Sequence, residues 1–228
     1  MMKVCVLGAS GFIGRNMCRD KNWVGVTRNE LDLTDRCAVE NYFRANRYDV
    51  VVHCAVVGGS RLTPDDVSVT HKNILMFENV VRVFKGKLLY FSSGAALRGG
   101  LCGPPTDPYG LSKWIIDRRV ETITNAHTLR IWGCYGDDEP SSRFSAVCRR
   151  NGHVIIDKDR YFDFIDVDVV KKIVEGYVNG DIYVKEFNLS PPEKLLLSQW
   201  AERFGATWEI KDSSELGEPY INEQDLRN

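Results

Sequence analysis

The sequence lacks the cysteine and histidine patterns of disulfide-stapled and metal-binding proteins. Its seven cysteines include no Cys-x-x-Cys pair, and its four histidines are scattered along the chain. We therefore expect neither a disulfide framework nor a zinc site, and we predict no bound metal. A reducing compartment suits such unpaired thiols best, so the expected location is cytoplasmic.

Long apolar runs and an excess of one charge are also missing. No apolar segment approaches the roughly 20 residues that a membrane span requires, and the formal net charge is −1 at pH 7. We therefore expect no membrane and no nucleic acid as partner. Met1-Met2-Lys3 runs directly into Val4-Cys5-Val6-Leu7 without the apolar core of a signal peptide, so no such leader is expected.

Strand and helix patterns alternate through the first two-thirds of the chain. Val50-Val51-Val52 is a β-branched run without polar alternation, which is typical of a buried parallel strand. Helical stretches begin at Thr34-Asp35, at Pro64-Asp65-Asp66 and at Pro108. This order predicts an α/β fold of the Rossmann type, a doubly wound parallel sheet with helices on both faces.

The pattern changes after Gly136, where Asp137-Asp138-Glu139-Pro140 reads as a loop. We predict that residues 1–136 form the Rossmann domain, and that residues 161–181 return to it as a helix. Residues 137–160 and 182–228 are then expected to form a small C-terminal lobe that binds the substrate.

A glycine-rich turn separates the first strand from the first helix. A dinucleotide's pyrophosphate needs close backbone and N–H groups at a helix start, so side chains must be absent there. The spacing Gly-x-x-Gly-x-x-Gly differs from the usual Gly-x-Gly-x-x-Gly, and a turn without a ligand is the alternative. The strand–turn–helix context favours a dinucleotide site built from Gly8, Ser10, Gly11, Phe12, Ile13 and Gly14.

The end of the second strand indicates which dinucleotide binds. The segment Val26-Thr27-Arg28 carries no carboxylate there to bind the adenosine ribose of NAD. Arg28 can stack on adenine and pair with a 2′-phosphate, which favours NADP over NAD, although a surface arginine is the alternative. Asp32 and Leu33 follow, in position to contact the edge and the face of the adenine.

Tyr109 and Lys113 are the residues most characteristic of a catalytic site in this chain. They lie four residues apart in Pro108-Tyr109-Gly110-Leu111-Ser112-Lys113, at a predicted helix start, so they share one helix face. A nearby ammonium lowers the pKa of a phenol, which makes tyrosine a usable general acid or base. An exposed helix face is the alternative. The preceding glycine motif and the strand end Phe91-Ser92-Ser93 favour catalysis.

With these motifs the sequence resembles the extended short-chain dehydrogenases that act on sugar nucleotides, and among them the GDP-L-fucose synthases and nucleotide-sugar 4-ketoreductases. The resemblance runs from Lys3 to about Val178 and includes the stretch Asp163–Asp168. It implies NADPH as cofactor, a homodimer, and further cofactor contacts from Ala55, Val56 and Asn73. It also implies a catalytic serine on the loop after the fourth strand, which here is either Ser93 or Ser92.

Two departures from that family bear on the substrate. Gly94 stands where fucose synthases carry a cysteine used for epimerisation, and His153 reads as a strand residue, so double epimerisation is not expected. Phe162 replaces the arginine that binds the substrate diphosphate in the family. Arg143 and Arg160 are the alternative diphosphate ligands.

The sequence thus predicts an NADPH-dependent reductase of a 4-keto group on a nucleotide-linked deoxysugar. One alternative is a nucleotide-sugar epimerase with tightly bound NAD(P), which would use the same residues without net consumption of NADPH. The other is a non-catalytic NADP-binding sensor or scaffold. A 4,6-dehydratase is disfavoured, because Ala95 and Ala96 occupy the positions where its acidic pair would lie.

Overall fold

The structure is a computed structural model that describes residues 2–60, 62–98 and 103–223. Cys102, one of the seven cysteines, lies outside these ranges, and the six described cysteines are all unpaired thiols. The contacts divide the chain into two compact units. Unit 1 comprises Met1–Arg130 and Lys171–Phe187, and unit 2 comprises Ile131–Val170 and Asn188–Asn228.

Unit 1 is organised around a six-stranded sheet with the strand order β10-β5-β4-β3-β1-β2. Strand β1 pairs in parallel with both β2 and β3, and β3 pairs in parallel with β4. The predicted Rossmann-type parallel sheet is therefore confirmed. Its strands are β1 (Val4–Leu7), β2 (Val24–Val26), β3 (Val50–His53), β4 (Lys87–Ser93), β5 (Ala126–Ile131) and β10 (Glu186–Leu189), at which the chain leaves unit 1.

The connecting helices of unit 1 begin where the sequence offers capping residues. They are α1 (Phe12–Cys18), α2 (Arg36–Ala45), α3 (Val67–Val83), α4 (Pro108–Glu121) and α6 (Val167–Asn179), whose first turn belongs to unit 2. The carboxylates of Asp35, Asp66 and Asp107 each accept a backbone N–H in the first turn of the helix that follows. Such caps satisfy backbone groups that a helix start leaves unpaired. Helix α1 differs, because it begins at Gly11 without a side-chain cap.

The core of unit 1 lies between the sheet and its helices. All four residues of β3 are buried, as the unbroken valine run predicted. From α3 the core receives Phe77 and Val80, which are completely buried. No described helix combines the length and the apolar character that a membrane crossing requires.

Unit 2 contains short strands and two helices. Its strands β6 (Gly133–Tyr135) and β9 (Phe164–Asp166) pair in parallel, as do β7 (His153–Lys158) and β12 (Thr207–Asp212). Strands β8 (Tyr161–Phe162) and β11 (Leu195–Leu196) pair antiparallel. Helices α5 (Phe144–Asn151) and α7 (Leu197–Arg203) complete the unit.

An aromatic cluster forms the core of unit 2. The rings of Phe162 and Phe164 stack with centroids 4.4 Å apart, and Trp200 stacks on Phe204 at 5.5 Å. The indole N–H of Trp200 donates to the carbonyl of Phe162 at 2.6 Å, so its polar group is satisfied inside the core. Phe162, which stands in place of the family's arginine, is thus a core residue of this unit.

Candidate functional site

A cleft of about 470 Å³ opens in unit 1 at the carboxyl ends of β1, β2 and β3. Ligands of open parallel sheets bind at this edge, because the loops that follow the strands meet there. Of the sequence-predicted cofactor residues, those that line the cleft are Gly8, Ser10, Gly11, Arg28, Asp32, Leu33, Ala55 and Val56.

The three glycines of the turn serve different purposes. Gly8 has a φ of +81°, and a Cβ there would lie 2.6 Å from the backbone nitrogen of Ala55. A Cβ on Gly14 would overlap the carbonyl of Gly8. Both glycines are therefore required by the fold itself, since helix, turn and the loop after β3 approach so closely.

Gly11 is different, because the protein leaves room for a side chain at this position. A Cβ there would meet only the carbonyl oxygen of Gly8, at 3.4 Å, and the φ of −76° suits any residue. Gly11 is nevertheless exposed on the cleft wall at the uncapped start of α1. Because Gly11 has no Cβ, a phosphate would be able to approach the backbone closely at this position.

Phe12, Ile13 and Gly14 do not belong to the cleft lining. Phe12 and Gly14 are buried, and Ile13 is half-buried. These three predicted contacts thus lie behind the turn rather than on its ligand-facing side.

The segment after β2 contributes both Arg28 and Asp32 to the lining of the cleft. Glu30 turns away, because its Oε2 accepts both the backbone N–H and the hydroxyl of Thr27, each at 2.7 Å. The carboxylate of Asp32 bonds within its own segment. Its Oδ1 accepts the hydroxyl of Thr34 at 2.7 Å and the N–H of Thr34 at 2.9 Å. These bonds lower the pKa of Asp32, and the charge of Arg28 lowers it further.

One wall of the cleft comes from α3 and was missed by the sequence analysis. The side chains at helical spacing along α3 that face the cleft are His71, Lys72, Leu75 and Met76. The signal was present as an i, i+1, i+4, i+5 pattern, but it resembled an ordinary amphipathic face.

Asn73 does not line the cleft but forms hydrogen bonds that connect two segments of unit 1. Its amide nitrogen donates to the carbonyl of Val57 and to the hydroxyl of Ser112, both at 3.0 Å, and its oxygen accepts the N–H of Val57 at 2.9 Å. Asn73 is also buried, with 3% of its surface exposed. It therefore fastens the loop after β3 to α4, which is a positioning role.

The candidate catalytic pair lies on α4. Pro108 occupies the first turn and Asp107 caps it, which fixes where the helix begins. The ammonium of Lys113 lies 5.6 Å from the ring centroid of Tyr109 and 4.7 Å from that of Tyr90, and it donates to the carbonyl of Phe91 at 2.8 Å. Tyr109 is half-buried, whereas Lys113 is 3% exposed. Burial lowers the pKa of Lys113 to about 8, and the carboxylate of Asp117 opposes that shift.

Two further glycines follow β3, and the second of them packs against the phenol ring, a contact that the sequence analysis did not anticipate. Gly58 and Gly59 follow β3 with φ angles of +80° and +74°. A Cβ on Gly59 would lie 2.9 Å from the Cζ of Tyr109, the carbon that bears the hydroxyl. The N–H of Gly59 donates to the Oδ2 of Asp65 at 2.9 Å, which holds the turn in place. Two consecutive glycines after a strand were the available signal.

The two candidate serines occupy different environments. Ser93 ends β4, and its hydroxyl oxygen accepts the N–H of Ala95 at 3.2 Å, which caps the 3₁₀ turn Gly94–Leu97. The hydroxyl of Ser92 is buried, outside ordinary hydrogen-bond distance of the described residues, but near enough to Asp117 to lower the pKa of that carboxyl. Ser93 and Ser92 are 7% and 5% exposed, so both hydroxyls lie in the interior and differ in their hydrogen bonding.

The predicted substrate ligands lie in unit 2. Arg143 precedes α5 and donates to the carbonyl of Cys134 at 2.6 Å. Arg160 precedes β8, and its guanidinium packs 3.3 Å from where a Cβ of Gly217 would lie. His153 begins β7, as expected of a strand residue, and its Nδ1 lies 2.9 Å from the hydroxyl of Thr207. Nowhere in the described ranges do three or more His, Cys, Asp or Glu side chains form a group that could hold a metal ion.

The chain is similar to proteins that act on nucleotide-linked sugars. It is 29% identical over 142 residues to the GDP-6-deoxy-D-talose 4-dehydrogenase of Aggregatibacter actinomycetemcomitans, a match that spans 52% of this chain and 47% of that relative. The match thus spans about half the length of this relative.

Solved structures share its fold over nearly the whole chain. A dTDP-4-dehydrorhamnose reductase from Bacillus anthracis in complex with NADP superimposes with a TM-score of 0.83 at 17% identity, covering 100% of this chain and 93% of its own. A GDP-mannoheptose C4 reductase from Campylobacter jejuni with NADP bound gives 0.75 at 17% identity, covering 99% and 91%. The model of the NAD dependent epimerase/dehydratase family matches residues 4–171. The chain therefore belongs to the NAD dependent epimerase/dehydratase family.

Proposed function

We propose that this protein is an NADPH-dependent oxidoreductase that reduces a 4-keto group on a nucleotide-linked deoxysugar. The observation that carries the proposal is the placement of Tyr109 and Lys113 on one face of α4, with the ammonium 5.6 Å from the phenol ring. Unit 1 also contains the glycine-lined cleft. A binding protein that only senses a dinucleotide has no use for a phenol paired with a buried ammonium.

The names of its relatives support the substrate class. A dTDP-4-dehydrorhamnose reductase, a GDP-mannoheptose C4 reductase and a GDP-6-deoxy-D-talose 4-dehydrogenase are all named for chemistry at C4 of a nucleotide-linked sugar. Their nucleotides differ, so the nucleotide of the present substrate stays open between dTDP, GDP and others.

The residues of the cleft suit NADPH. Gly8 and Gly11 would admit the pyrophosphate to the turn, and Arg28 would pair with the 2′-phosphate through its planar guanidinium. Lys72 adds a second cation to the same cleft. Leu33, Ala55 and Val56 offer apolar surface to the rings. When bound, NADPH supplies the hydride for the reduction.

The chain itself supplies proton transfer and orientation. The phenol of Tyr109 donates its proton to the substrate oxygen as negative charge develops there. The buried ammonium of Lys113 favours the phenolate that remains, because opposite charges attract strongly where water is excluded. The hydroxyl of Ser93 is the group that would hydrogen-bond the carbonyl oxygen and hold it near the phenol.

The C-terminal unit is proposed to bind the nucleotide-sugar, with Arg143 and Arg160 as ligands of its diphosphate. Arginine suits this task, because its fork of N–H donors matches phosphate oxygens. We also propose a homodimer and a cytoplasmic location. Both follow from the family resemblance and from the pattern of unpaired thiols in the sequence.

The substitution Tyr109→Phe tests the proposal directly. It removes the proton donor but keeps the ring, so NADPH binding measured by calorimetry should be retained. Turnover of 4-keto sugar nucleotides, followed by loss of NADPH absorbance, should fall by about 10²- to 10⁴-fold. Near-normal turnover in this variant would refute the assignment.

The same assay separates the reductase from its alternatives. Interconversion of sugars without net loss of NADPH would indicate an epimerase. Binding of NADPH without turnover of any keto-sugar tested, in the wild-type protein, would indicate a sensor.

A further inference from the structure

A buried acid, Asp117, follows the proposed catalytic pair along α4. Tyr109, Lys113 and Asp117 are spaced at successive intervals of four residues, so they line one helix face. Asp117 is 1% exposed and Lys113 is 3% exposed, which places an acid and a base together in the interior. Buried charges of this kind are unstable unless they are paired.

The direct contacts of Lys113 do not balance its charge. Its ammonium donates to the carbonyl of Phe91 at 2.8 Å and faces the rings of Tyr90 and Tyr109. A carbonyl dipole and two π faces stabilise a cation only in part. A buried ammonium therefore needs an anion in its surroundings to remain charged.

The two carboxylate oxygens of Asp117 differ in their hydrogen bonds. Its Oδ2 accepts two bonds from Arg130, from Nη2 at 2.8 Å and from Nε at 3.3 Å. Its Oδ1 is buried and has no hydrogen-bond partner among the described residues. Arg130 is itself 2% exposed and also meets Glu186 at 3.4 Å, so the guanidinium is held from two sides.

We propose that Asp117 is the counter-ion that keeps Lys113 protonated in the interior, and that Arg130 holds this carboxylate in place. Asp117 acts through Lys113 and touches no substrate, so it is a positioning residue. The inference deepens the proposed function and rests on it, because it assigns a role only within that catalytic site.

Three further titratable groups near Lys113 are neutral near pH 7. Burial lowers the pKa of His53, the last residue of β3, to about 3, raises that of Cys54, which follows it, and raises that of Tyr90 on β4. Asp117 is the largest opposing influence on Lys113, whose pKa burial lowers to about 8. Among these described neighbours, Asp117 is the group that carries negative charge at neutral pH.

The carboxyl of Asp117 stays ionised because of its partner. Burial raises its pKa, whereas Arg130, the hydroxyl of Ser92 and Lys113 oppose that shift. Protonation of the carboxyl would leave the buried guanidinium of Arg130 with only its longer, 3.4 Å contact to the partly exposed Glu186, which is a costly state. The pairing with Arg130 thus favours the ionised form of Asp117, four residues from Lys113 on the same helix.

The test measures the titration of Lys113 in the protein without cofactor. Protein labelled with [¹³Cε]-lysine is titrated by NMR, and the Lys113 signal is assigned from its absence in Lys113→Met. In Asp117→Asn the midpoint should move at least about one pH unit lower, a tenfold change in the protonation equilibrium. Asp117→Glu should restore it.

The matched control is Glu78→Gln. It removes the partner of Arg119 on the surface of α4, an ion pair of 2.9 Å whose side chains are 37% and 45% exposed. The Lys113 midpoint should not move in this variant. An unchanged midpoint in Asp117→Asn would overturn the proposal.

Asp117→Asn leaves Arg130 with only its longer contact to Glu186 and can impair folding. The double variant Asp117→Asn/Arg130→Gln removes both charges of the pair, and it should still lower the Lys113 midpoint, but by less than the single variant, because the repulsion from Arg130 is removed as well. Because the titration needs no substrate, its failure is distinct from failure of the proposed function. A lowered midpoint alongside a fully active Tyr109→Phe variant would reject the proposed chemistry while leaving the electrostatic pairing established.

Discussion

At the scale of single residues, Gly59 shows how a position without a side chain controls the proposed proton donor, Tyr109. Its backbone lies against the Tyr109 ring because nothing projects from it, and its left-handed φ of +74° suits glycine. The phenol must reach the substrate oxygen to donate a proton, and displacement by about an ångström is costly in such geometry. Gly59 therefore sets the position of Tyr109 from outside α4.

We expect Gly59→Ala to lower turnover by about tenfold or more, with NADPH affinity largely kept, since Gly59 is not among the cleft lining residues. Gly152→Ala is the matched control, because Gly152 has a φ of +65° and a Cβ there would meet nothing within 4 Å. Both variants carry similar backbone strain, but only one contacts the phenol. Equal turnover in the two variants would contradict the positioning role.

His53 is a second residue whose burial makes a measurable prediction. Burial lowers its pKa to about 3, whereas an unfolded chain gives histidine its ordinary value near 6.5. Between these two pH values the unfolded chain binds a proton that the native protein does not. The free energy of unfolding must therefore decrease as the pH falls through this window.

The variant His53→Leu removes that contribution. Relative to it, the wild type should lose about 2 kcal/mol of unfolding free energy between pH 7 and pH 5, measured by urea denaturation at each pH. At pH 7 the variant should be close to neutral or stabilising, since both ring nitrogens of His53 are buried without a hydrogen-bond partner among the described residues. Parallel curves for the two proteins would show that the imidazole charges freely in the native state.

At the scale of elements, the sequence was most informative where local chemistry decides structure. The run Val50–Val52 predicted a buried strand, Asp35 and Asp66 predicted the starts of α2 and α3, and Pro108 predicted the start of α4. The Tyr109 and Lys113 spacing placed both residues on one helix face. Each of these features depends on neighbours within one or two turns of the chain.

Features that depend on distant residues could not be read in this way. The parallel pairing of β7 with β12 joins His153 to Thr207, and no local pattern specifies such a register. The Asp117–Arg130 pair was also missed, although an arginine inside the apolar strand Leu129-Arg130-Ile131 is a usable signal of a buried partner. The partner itself becomes known only when α4 is packed on β5.

The glycine turn after β1 has two roles, one in folding and one in the proposed binding of NADPH, and separate substitutions test them. Gly11→Ala should fold with nearly unchanged stability, since a Cβ has room there, but should weaken NADPH binding by about tenfold or more. Gly14→Ala should lose about 1–3 kcal/mol of stability, because its Cβ overlaps the carbonyl of Gly8. Thermal unfolding and NADPH titration of both variants measure the two effects separately. If Gly11→Ala bound NADPH normally, the proposal that the cofactor's phosphates bind at this turn would be rejected.

At the scale of the whole molecule, the match to the family model covers the two units unequally. The family model ends at residue 171, inside α6. The rest of the chain includes β10, β11, α7 and β12, of which the last three belong to unit 2. The family model therefore covers most of unit 1 but only the part of unit 2 up to Val170, which includes Arg143 and Arg160.

The division into units predicts which parts of the chain each ligand stabilises against local opening. The lining of the dinucleotide cleft lies in unit 1, while unit 2 has an aromatic core of its own. Saturating NADPH should slow amide exchange by local opening at residues 8–11, 27–34, 54–57 and 71–76. Exchange in β7 and β12 should be unchanged, and a nucleotide-sugar should instead slow it around Arg143 and Arg160.

Hydrogen-exchange mass spectrometry with NADPH, with a sugar nucleotide and with both ligands measures this pattern. If the two units unfolded only together, NADPH at 100 times its Kd would protect both cores equally, by about 2.7 kcal/mol. Separate cores would instead allow unit 2 to open while unit 1 stays protected, because the described core around Phe164 and Trp200 consists of residues of unit 2. Equal protection of both cores would therefore reject the independence of the units, and it would make the dinucleotide a stabiliser of the entire chain.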